Sequence, residues 1–294
     1  MARSTSPLRY PGGKTCLHEM LSSILRLNGL EYGHYIEPYA GGCGLALSLL
    51  FEGHVSDIHV NDLDRSIWSF WHSVLNESDA LIELVQQTPV TIEEWRRQRE
   101  ILFNPAGAST LKLGFSTFFL NRTNRSGVIK RAGVIGGLEQ TGDYKIDCRF
   151  NRNELARRIK RVSRYKGQIH LTNMDAIDFL RQCEGTLSDD AFYCIDPPYY
   201  KKGFSLYTNF YGPHEHAAVA GTIIKLARPW IVTYDCAKEI ARLYSTQRKY
   251  IFDINYSLQT KRVGTELLIA SKGLRLPEEV KRHPAKMSDI ALAD

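Results

Sequence analysis

The amino-acid sequence predicts an α/β protein whose mainly parallel sheet is interrupted by a mainly helical insert. Residues 35–47 have the pattern of a strand, a glycine turn and a helix, and residues 57–60 form a second short strand. Residues 191–195 form an apolar strand that runs into two prolines, while residues 67–165 replace the strand–helix alternation with successive helix patterns. Alternating strands and helices pack as a parallel sheet that binds its ligands at the carboxyl ends of the strands. We therefore expect the functional site at that edge.

The overall composition is that of a globular chain with a basic excess. Its 294 residues are 43% hydrophobic and 24% charged, with a formal net charge of +6 and a pI near 8.9. This balance permits an anionic partner without requiring one. The six cysteines contain no Cys-x-x-Cys pair, so no zinc knuckle or redox motif is predicted and we expect no metal site. Since no membrane-span or signal-peptide pattern is present, we expect a cytoplasmic protein without a membrane partner.

The most informative segment is the turn after residues 191–195, where Asp196 is followed by Pro197, Pro198 and Tyr199. The prolines end the strand because they lack an N–H, and Pro198 restricts Pro197 to an extended conformation, which sets the direction of a backbone carbonyl. The turn therefore presents a carboxylate, an aimed carbonyl and an aromatic ring, which together suit an amino group on a planar heterocycle. The alternative is an ordinary turn, since Asp-Pro commonly starts one.

Other segments predict a nucleotide-like ligand at the same edge. Residues 9–14 place two glycines before Lys14, whose charge stands at the start of an amphipathic helix over residues 14–28. The spacing of a P-loop is missing, so a nucleoside triphosphate is not predicted. The glycine turn at residues 41–44 lets a cofactor approach the backbone, and Asp62, about twenty positions later, suits ribose hydroxyls. A helix N-cap is the alternative role for Asp62.

In this order, these motifs resemble the Dam-type DNA adenine N6-methyltransferases (D12 class, alpha group), over roughly residues 7–272. The resemblance implies a Rossmann-like sheet that binds S-adenosylmethionine and carries an inserted DNA-recognition subdomain. Two positions depart from the family pattern: Cys43, where many relatives have glycine, and Tyr39, where phenylalanine is usual. The cofactor-binding residues that we expect are Tyr10, Lys14, Glu37, Pro38, Tyr39, Gly41, Asp62 and Asp175. Asp175 would face the amino group of the donor's adenine, or else only cap a helix.

The domain division follows from where the sheet pattern stops and resumes. We expect a discontinuous catalytic domain at residues 1–66 and 166–274, an inserted target-recognition subdomain at 67–165, and a peripheral tail at 275–294. Residues 95–165 contain 16 Lys and Arg against 5 Asp and Glu, a local excess of +11. The positive charge is therefore concentrated in the insert, where a DNA-binding surface would lie.

A short polar segment inside the insert supplies the candidate DNA contacts. Asparagine and arginine suit base edges, whereas lysine suits phosphate. The segment lies between an apolar helix that ends at Leu120 and glycines that start at Gly133, which predicts a projecting loop. The residues that we expect to contact DNA are Asn121, Arg122, Asn124, Arg125, Lys130 and Arg131. A second loop, at residues 201–211, is long enough to close over a substrate.

The chemistry that the resemblance implies concerns the exocyclic amine of adenine, a poor nucleophile because its lone pair is delocalised into the ring. Hydrogen bonds from this amine to the Asp196 carboxylate and the Pro197 carbonyl would free the lone pair, and Tyr199 would stack on the extruded base. The methyl group of the donor is already activated, so positioning is the main requirement. No covalent intermediate and no metal ion are expected.

Three alternative functions remain open. Methylation of cytosine N4 uses the same geometry, although those enzymes more often carry serine before the prolines. The second is methylation of adenine N6 in RNA, and the third is a DNA-binding relative that no longer turns over. For the leading interpretation we expect double-stranded DNA as the partner and a monomer in solution, with a cognate restriction or defence partner left open.

Overall fold

The computed structural model of the chain describes residues 5–10, 14–201, 211–256, 262–285 and 290. Its strands are β1 (His34–Glu37), β2 (Asp57–Asn61), β3 (Ile169–Thr172), β4 (Phe192–Ile195), β5 (Trp230–Asp235), β6 (Arg248–Tyr256) and β7 (Arg262–Ala270). They form one sheet in the order β3-β2-β1-β4-β5-β7-β6. The first five strands are parallel, and β7 runs antiparallel between β5 and β6. The predicted α/β class and mainly parallel sheet are confirmed.

The strand order reverses between β1 and β4. From β1 the chain leads outward through β2 to β3, and it returns on the other side through β4 and β5. In an open α/β sheet, ligands bind in the crevice at such a reversal. Because β4 ends at Ile195, the following residue, Asp196, stands at this crevice, as the sequence predicts.

Helices cover both faces of the sheet. They are α1 (His18–Leu27), α2 (Gly44–Phe51), α3 (Arg65–Asn76), α4 (Ser78–Gln87), α5 (Ile92–Phe103), α6 (Thr110–Thr123), α7 (Arg152–Ser163), α8 (Ala176–Thr186), α9 (Pro213–Ile223), α10 (Lys238–Leu243) and α11 (Glu278–Lys281). Successive strand residues point to opposite faces, so Tyr35 packs with α1, α2 and α3 while Ile36 packs with α8, α9 and α10. None of the helices in the described ranges combines the length and apolar character that crossing a membrane requires.

The chain between residues 67 and 165 is mainly helical, as predicted, and it shares the core of the sheet. The rings of Phe70 in α3 and Phe118 in α6 stack with their centroids 5.6 Å apart. Both rings belong to the same buried cluster as Tyr35 of β1. Because buried side chains run continuously from the sheet to these helices, the separation of residues 67–165 as an inserted subdomain stays a prediction.

Some element boundaries differ from those predicted. The helix expected over residues 14–28 begins as a single 3-10 turn at Lys14–Leu17, and α1 starts only at His18. At α3 the N-cap is Asp64, whose Oδ1 accepts a hydrogen bond from the backbone N–H of Ser66 at 2.9 Å. At the far edge of the sheet, β6 and β7 pair along their whole length.

Candidate active site

Asp196 is held by side chains from two distant parts of the chain. Thr233 in β5 donates its hydroxyl to Asp196 Oδ1 at 2.6 Å, and the Lys14 ammonium lies 3.3 Å from the same oxygen. Burial raises the pKa of Asp196 to about 6, while the charge of Lys14 opposes the shift. At neutral pH Asp196 is therefore an ionised hydrogen-bond acceptor in a fixed orientation. Its side chain is 18% exposed, so a ligand can still reach it.

Lys14 also forms a buried ion pair with Glu266, a residue that the sequence analysis did not single out. Lys14 Nζ lies 2.9 and 2.8 Å from the two carboxylate oxygens of Glu266, and it donates to the Tyr199 hydroxyl at 3.0 Å. Tyr199 in turn donates its hydroxyl to Glu266 Oε1. Because Glu266 is 1% exposed and Lys14 is 7% exposed, the two charges compensate each other inside the protein. The network fixes Tyr199 and Lys14 beside Asp196.

The contacts of Lys14 add to those that we expected from the sequence. Its charge was predicted to meet the methyl donor, and its ammonium lies between Asp196 and Glu266. The cause is a partner 252 residues further along the chain, which local patterns cannot reveal. A lone carboxylate before the apolar residues 267–270 was the available signal for Glu266. Contact between Lys14 and the donor stays a prediction, and the preceding residues 11–13 lie outside the described residues.

Asp235, at the end of β5, holds the backbone that follows Tyr199. Its Oδ1 accepts from the N–H of Tyr200 and its Oδ2 from the N–H of Lys201, both at 2.8 Å. Two hydrogen bonds to one carboxylate fix the direction in which the chain leaves the prolines. Asp235 was not predicted either, although an acidic residue directly after the strand-forming residues 230–234 could have indicated it. Most of the loop expected at residues 201–211 lies outside the described residues.

The glycine turn after β1 is packed against Tyr10. Gly41 has a φ of +42°, and a Cβ at this position would lie 2.7 Å from the Tyr10 ring, so the ring and any larger residue could not both fit. Trp71 donates its indole N–H to the Gly41 carbonyl at 2.9 Å, which holds the turn from the other side. Cys43 has a φ of +51°, a conformation that costs a non-glycine residue about 1–2 kcal/mol. This strain gives a physical reason for glycine at that position in relatives.

Asp62 closes the glycine turn from the neighbouring strand. Its Oδ2 accepts from the N–H of Gly41 and its Oδ1 from the N–H of Asp64, both at 2.9 Å. Burial raises the pKa of Asp62 to about 7. Since Asp64 caps α3, the alternative role of Asp62 as the helix cap is wrong. Beside it, the Pro38 carbonyl accepts from Asn61 Nδ2 at 3.1 Å, which joins the ends of β1 and β2.

Glu37 is a partly buried residue whose carboxylate has one buried, unsatisfied oxygen. Its Oε2 has no hydrogen-bond partner among the residues that the structure describes. Burial raises the pKa of Glu37 to about 8, and the negative charge of Asp196 adds to the shift. Glu37 ends β1 and Asp196 follows β4, so the two carboxylates flank the reversal of strand order. A positively charged ligand would relieve this arrangement.

The remaining residues that were predicted to bind the methyl donor lie near the same edge of the sheet. The hydroxyls of Tyr39 and Tyr211 are 3.2 Å apart. Asp175 Oδ1 accepts from the N–H of Ile177 at 2.8 Å, so Asp175 caps α8, as the alternative interpretation proposed. Burial raises the pKa of Tyr211, and the negative charges of Asp175 and Asp62 raise it further. Asp175 and Asp62 therefore both act on the surroundings of Tyr211. Contacts of Asp175 and Tyr39 with the methyl donor stay predictions.

The projecting loop predicted for the DNA contacts is wrong in its first half, because Asn121, Arg122 and Asn124 are buried. Asn121 exchanges two hydrogen bonds with the backbone of Arg9: its Nδ2 donates to the carbonyl at 2.7 Å and its Oδ1 accepts from the N–H at 2.8 Å. Arg122 Nε donates to the carbonyl of Pro7 at 2.8 Å. The physical reason is that residues 5–10 run without sheet partners, and these side chains satisfy their backbone.

Asn124 has a similar internal role. Its Oδ1 accepts from the Trp95 indole N–H at 2.7 Å, and its Nδ2 donates to the carbonyls of Val128 and Ile129, both at 2.9 Å. An isolated antiparallel bridge between Asn124 and Val134 then closes the loop between them. The amide therefore fixes the shape of the loop instead of facing solvent.

The second half of the segment agrees better with the prediction. Arg125 and Arg131 are exposed, while Lys130 is partly buried and pairs with Asp64 Oδ2 at 2.8 Å. The Lys130–Asp64 pair joins the loop to the start of α3, two residues after Asp62. Among the six predicted DNA contacts, Arg125 and Arg131 are thus the ones on the surface.

An open α/β sheet with an acidic turn at its reversal is the architecture in which enzymes of the α/β class bind their ligands. The family model of the D12 class N6 adenine-specific DNA methyltransferases matches residues 10–258, and the chain belongs to this family. It is a DNA adenine methyltransferase. The predicted enzyme class is confirmed, whereas its assignment to the Dam-type alpha group stays a prediction.

Individual known proteins resemble this chain only weakly. No curated protein matches the chain. Among solved structures, a conserved hypothetical protein of Streptococcus pyogenes is 11% identical with a TM-score of 0.33, covering 86% of this chain and 96% of that one. A protein of Legionella pneumophila is 10% identical with a TM-score of 0.35, covering 94% of this chain and 89% of that one. At these scores neither likeness carries an argument about fold or function.

Proposed function

We propose that this methyltransferase is a Dam-type, alpha-group enzyme that uses S-adenosylmethionine and acts on an adenine flipped out of a specific double-stranded DNA sequence. The observation that supports it most is the pair of carboxylates at the reversal of strand order. Asp196 is ionised and held in place by Thr233 and Lys14, which suits it to a neutral amine that donates hydrogen bonds. Glu37 has one buried, unsatisfied carboxylate oxygen, which suits it to a cation.

S-adenosylmethionine fits the chemistry of the residues around the glycine turn. It carries an ammonium and a sulfonium, and these charges suit Glu37 and Asp62, whose pKa values are raised mainly by burial and further by neighbouring negative charges. When bound, the donor supplies an activated methyl group. The residues that we assign to it are Tyr10, Glu37, Pro38, Tyr39, Gly41, Asp62 and Asp175. Lys14 stays a predicted donor contact, and we also assign its ammonium to the catalytic side, because it lies on Asp196 and Glu266.

The target amine is assigned to Asp196 and to the carbonyl of Pro197. Acceptance of its two N–H groups favours a tetrahedral nitrogen, so the lone pair becomes available for in-line transfer. The charge of Lys14 favours the ionised form of Asp196, which the acceptor role requires. Tyr199, fixed through its hydroxyl by Glu266, offers a ring for stacking. Pro198 keeps the turn rigid. A base in a duplex cannot bring its amine to a turn this enclosed, which favours base flipping.

The affinity for S-adenosylmethionine should rise between about pH 6.5 and pH 8.5 because of Glu37. In the free protein this carboxyl has a pKa of about 8, so it is mostly protonated at neutral pH, whereas a cationic ligand prefers the ionised form. Calorimetric titration across this range should show affinity falling with acidity by up to about tenfold per pH unit. Glu37→Gln should remove that component and weaken binding at alkaline pH by roughly ten- to hundredfold.

The matched control for Glu37→Gln is Glu19→Gln, because Glu19 is exposed on α1. It should reproduce the native profile. The ratio of native to variant affinities cancels any titration of the ligand itself. If that ratio does not change with pH, the donor does not meet the Glu37 carboxylate.

Arg122→Ala and Arg125→Ala should separate a structural arginine from a DNA-binding one. Arg122 is buried, and loss of a charged hydrogen bond costs about 1.5–3 kcal/mol of stability. Its replacement should therefore lower the melting temperature by roughly 3–10 °C. The methylated DNA sequence should not change. Arg125 is exposed, so its loss should leave stability unchanged and weaken DNA binding by about 1–3 kcal/mol.

Both arginine variants are measured by thermal denaturation and by DNA binding at several salt concentrations. A phosphate contact by Arg125 should weaken all sequences alike and flatten the salt dependence, while a base contact should relax one position of the word. Unchanged DNA binding and unchanged specificity in Arg125→Ala would move the reading element to another part of the basic surface, with Arg131 tested next.

The proposed reaction is tested with labelled S-adenosylmethionine, duplex DNA, single-stranded RNA and identification of the modified base after digestion. We expect N6-methyladenine in duplex DNA. N4-methylcytosine, or product only in RNA, would support an alternative substrate, and donor binding without any product would support a non-catalytic relative. Sequencing modified bases in DNA from cells that express the chain gives the recognised word. We further expect a monomeric, cytoplasmic enzyme, either solitary or paired with a restriction or defence partner.

A further inference from the structure

A cluster of metal-ligand side chains lies at the end of α2 that is opposite to the glycine turn. His18 is the first residue of α1, Glu52 directly follows α2, and His54 comes two residues later. A nitrogen of each histidine and a carboxylate oxygen of Glu52 all lie within 4.8 Å of one another. Glu52 Oε2 is 3.3 Å from His18 Nε2 and 3.9 Å from His54 Nε2. None of these residues takes part in the catalytic network.

The contact between His18 and Glu52 is close without being a hydrogen bond. His18 Nε2 is buried and has no hydrogen-bond partner in the described part of the chain, although the Glu52 oxygen is 3.3 Å away. Ligand atoms around one tetrahedral zinc ion lie about 3.3–3.6 Å apart, because each is about 2.0–2.2 Å from the metal. The 3.3 Å separation of His18 Nε2 and Glu52 Oε2 is therefore one that two ligands of the same zinc ion would have.

A second histidine cluster, on the sheet, provides an internal contrast. His34 Nδ1 and His59 Nε2 are hydrogen-bonded to each other at 3.0 Å, and His170 Nε2 is hydrogen-bonded to Asp57 Oδ1 at 2.8 Å. These groups satisfy one another, so nothing in their geometry requires an ion. Both clusters combine histidines with a carboxylate, and they differ in whether the nitrogen and oxygen atoms are already hydrogen-bonded to each other.

We propose that His18, Glu52 and His54 bind one divalent transition-metal ion, with zinc the best match. Two imidazoles and one carboxylate form a ligand set that zinc accepts, with water in the fourth position. Gly53, with a φ of +74°, reverses the chain so that Glu52 and His54 reach the same point. The ion ties the first turn of α1, four residues after Lys14, to the turn between α2 and β2. The role of this ion is structural. The expectation of no metal site rested on the absence of Cys-x-x-Cys pairs, and this site contains no cysteine.

The test uses the full chain after removal of metals with a chelator, in a background in which the exposed Cys16 and Cys148 are replaced by serine to exclude binding by thiols. Titration with zinc chloride should show one ion per chain with a dissociation constant below about 10 µM. At about a hundredfold excess over that constant, the melting temperature should rise by roughly 5–10 °C. Magnesium chloride should give neither effect, because magnesium prefers oxygen ligands.

Single substitutions then locate the site. Glu52→Ala changes a side chain that is 55% exposed, so it should leave the fold intact and weaken zinc binding at least about tenfold. His54→Ala should do the same. The control is His170→Gln, in the paired cluster, which should retain full zinc binding. The proposal is overturned if the native chain does not bind zinc, if binding survives the combined Glu52→Ala and His54→Ala substitutions, or if His170→Gln abolishes it.

Discussion

Asp196→Ala should lower the rate of methyl transfer by about a thousandfold or more while leaving the affinities for S-adenosylmethionine and DNA within about threefold of native. The carboxylate that Thr233 and Lys14 hold in place is assigned to the target amine and not to the donor. Single-turnover transfer with labelled donor measures the chemical step, and separate titrations measure the two affinities. In the native enzyme the same step should become faster as pH rises through about 6, because the pKa of Asp196 lies there and its ionised form is the acceptor.

The control for Asp196→Ala is Asp189→Ala, which removes a fully exposed carboxylate from the loop before β4. This variant should transfer methyl groups at the native rate. If Asp196→Ala keeps a rate within tenfold of native, another group accepts the hydrogen bonds of the amine. A large loss of donor affinity in the same variant would instead place Asp196 in the cofactor site.

Glu266→Leu should destabilise the protein and lower methyl transfer together. It leaves the buried Lys14 ammonium without its closest carboxylate, and loss of one partner of a buried ion pair costs about 3–5 kcal/mol. The melting temperature should therefore fall by roughly 6–20 °C. Transfer should fall as well, because the Tyr199 hydroxyl loses its acceptor and Lys14 is no longer fixed beside Asp196.

The double variant Lys14→Met with Glu266→Leu separates these two effects. Removal of both charges should restore most of the lost stability, since apolar replacements of a buried pair are well tolerated. Transfer should stay low, because Asp196 loses the positive charge of Lys14, which lowers its pKa more than the negative charge of Glu266 raises it. The pH at which the rate rises should therefore move upward. A Glu266→Leu variant as stable as native, or a double variant with native transfer, would contradict this role for the pair.

The features that the sequence predicted well are those in which neighbouring residues determine the outcome. The apolar strand before Asp196 and the two prolines after it fix where the carboxylate stands, so its position at the reversal of the sheet could be predicted. The glycine turn after β1 could be predicted from a short spacing in the same way, whereas its hydrogen bond to Asp62 was not predicted. The family match then confirmed the enzyme class that these motifs indicated.

Predictions failed where a polar side chain is satisfied by a distant segment. Asn121 and Arg122 have the composition of a solvated loop, yet they bind the backbone of residues 7–9, more than a hundred positions away. Glu266 and Asp235 were missed for the same reason, since each acts on a turn that a sequence window does not include. Hydrophobic periodicity reports which face of an element is buried, but it does not report which backbone needs a partner.

Residues 5–10 have a consequence for the design of chimeric enzymes. This short segment contacts the end of α6 through Arg9 and the glycine turn through Tyr10. It therefore joins the basic residues 95–165 to the part of the sheet that we assign to the methyl donor. If residues 67–165 are replaced by those of a relative, the side chains that replace Asn121 and Arg122 must bind residues 5–10 of this chain, for which they are not matched. Chimeric enzymes that exchange DNA specificity should therefore receive residues 5–10 and residues 67–165 from the same relative, because the two segments form one structural unit.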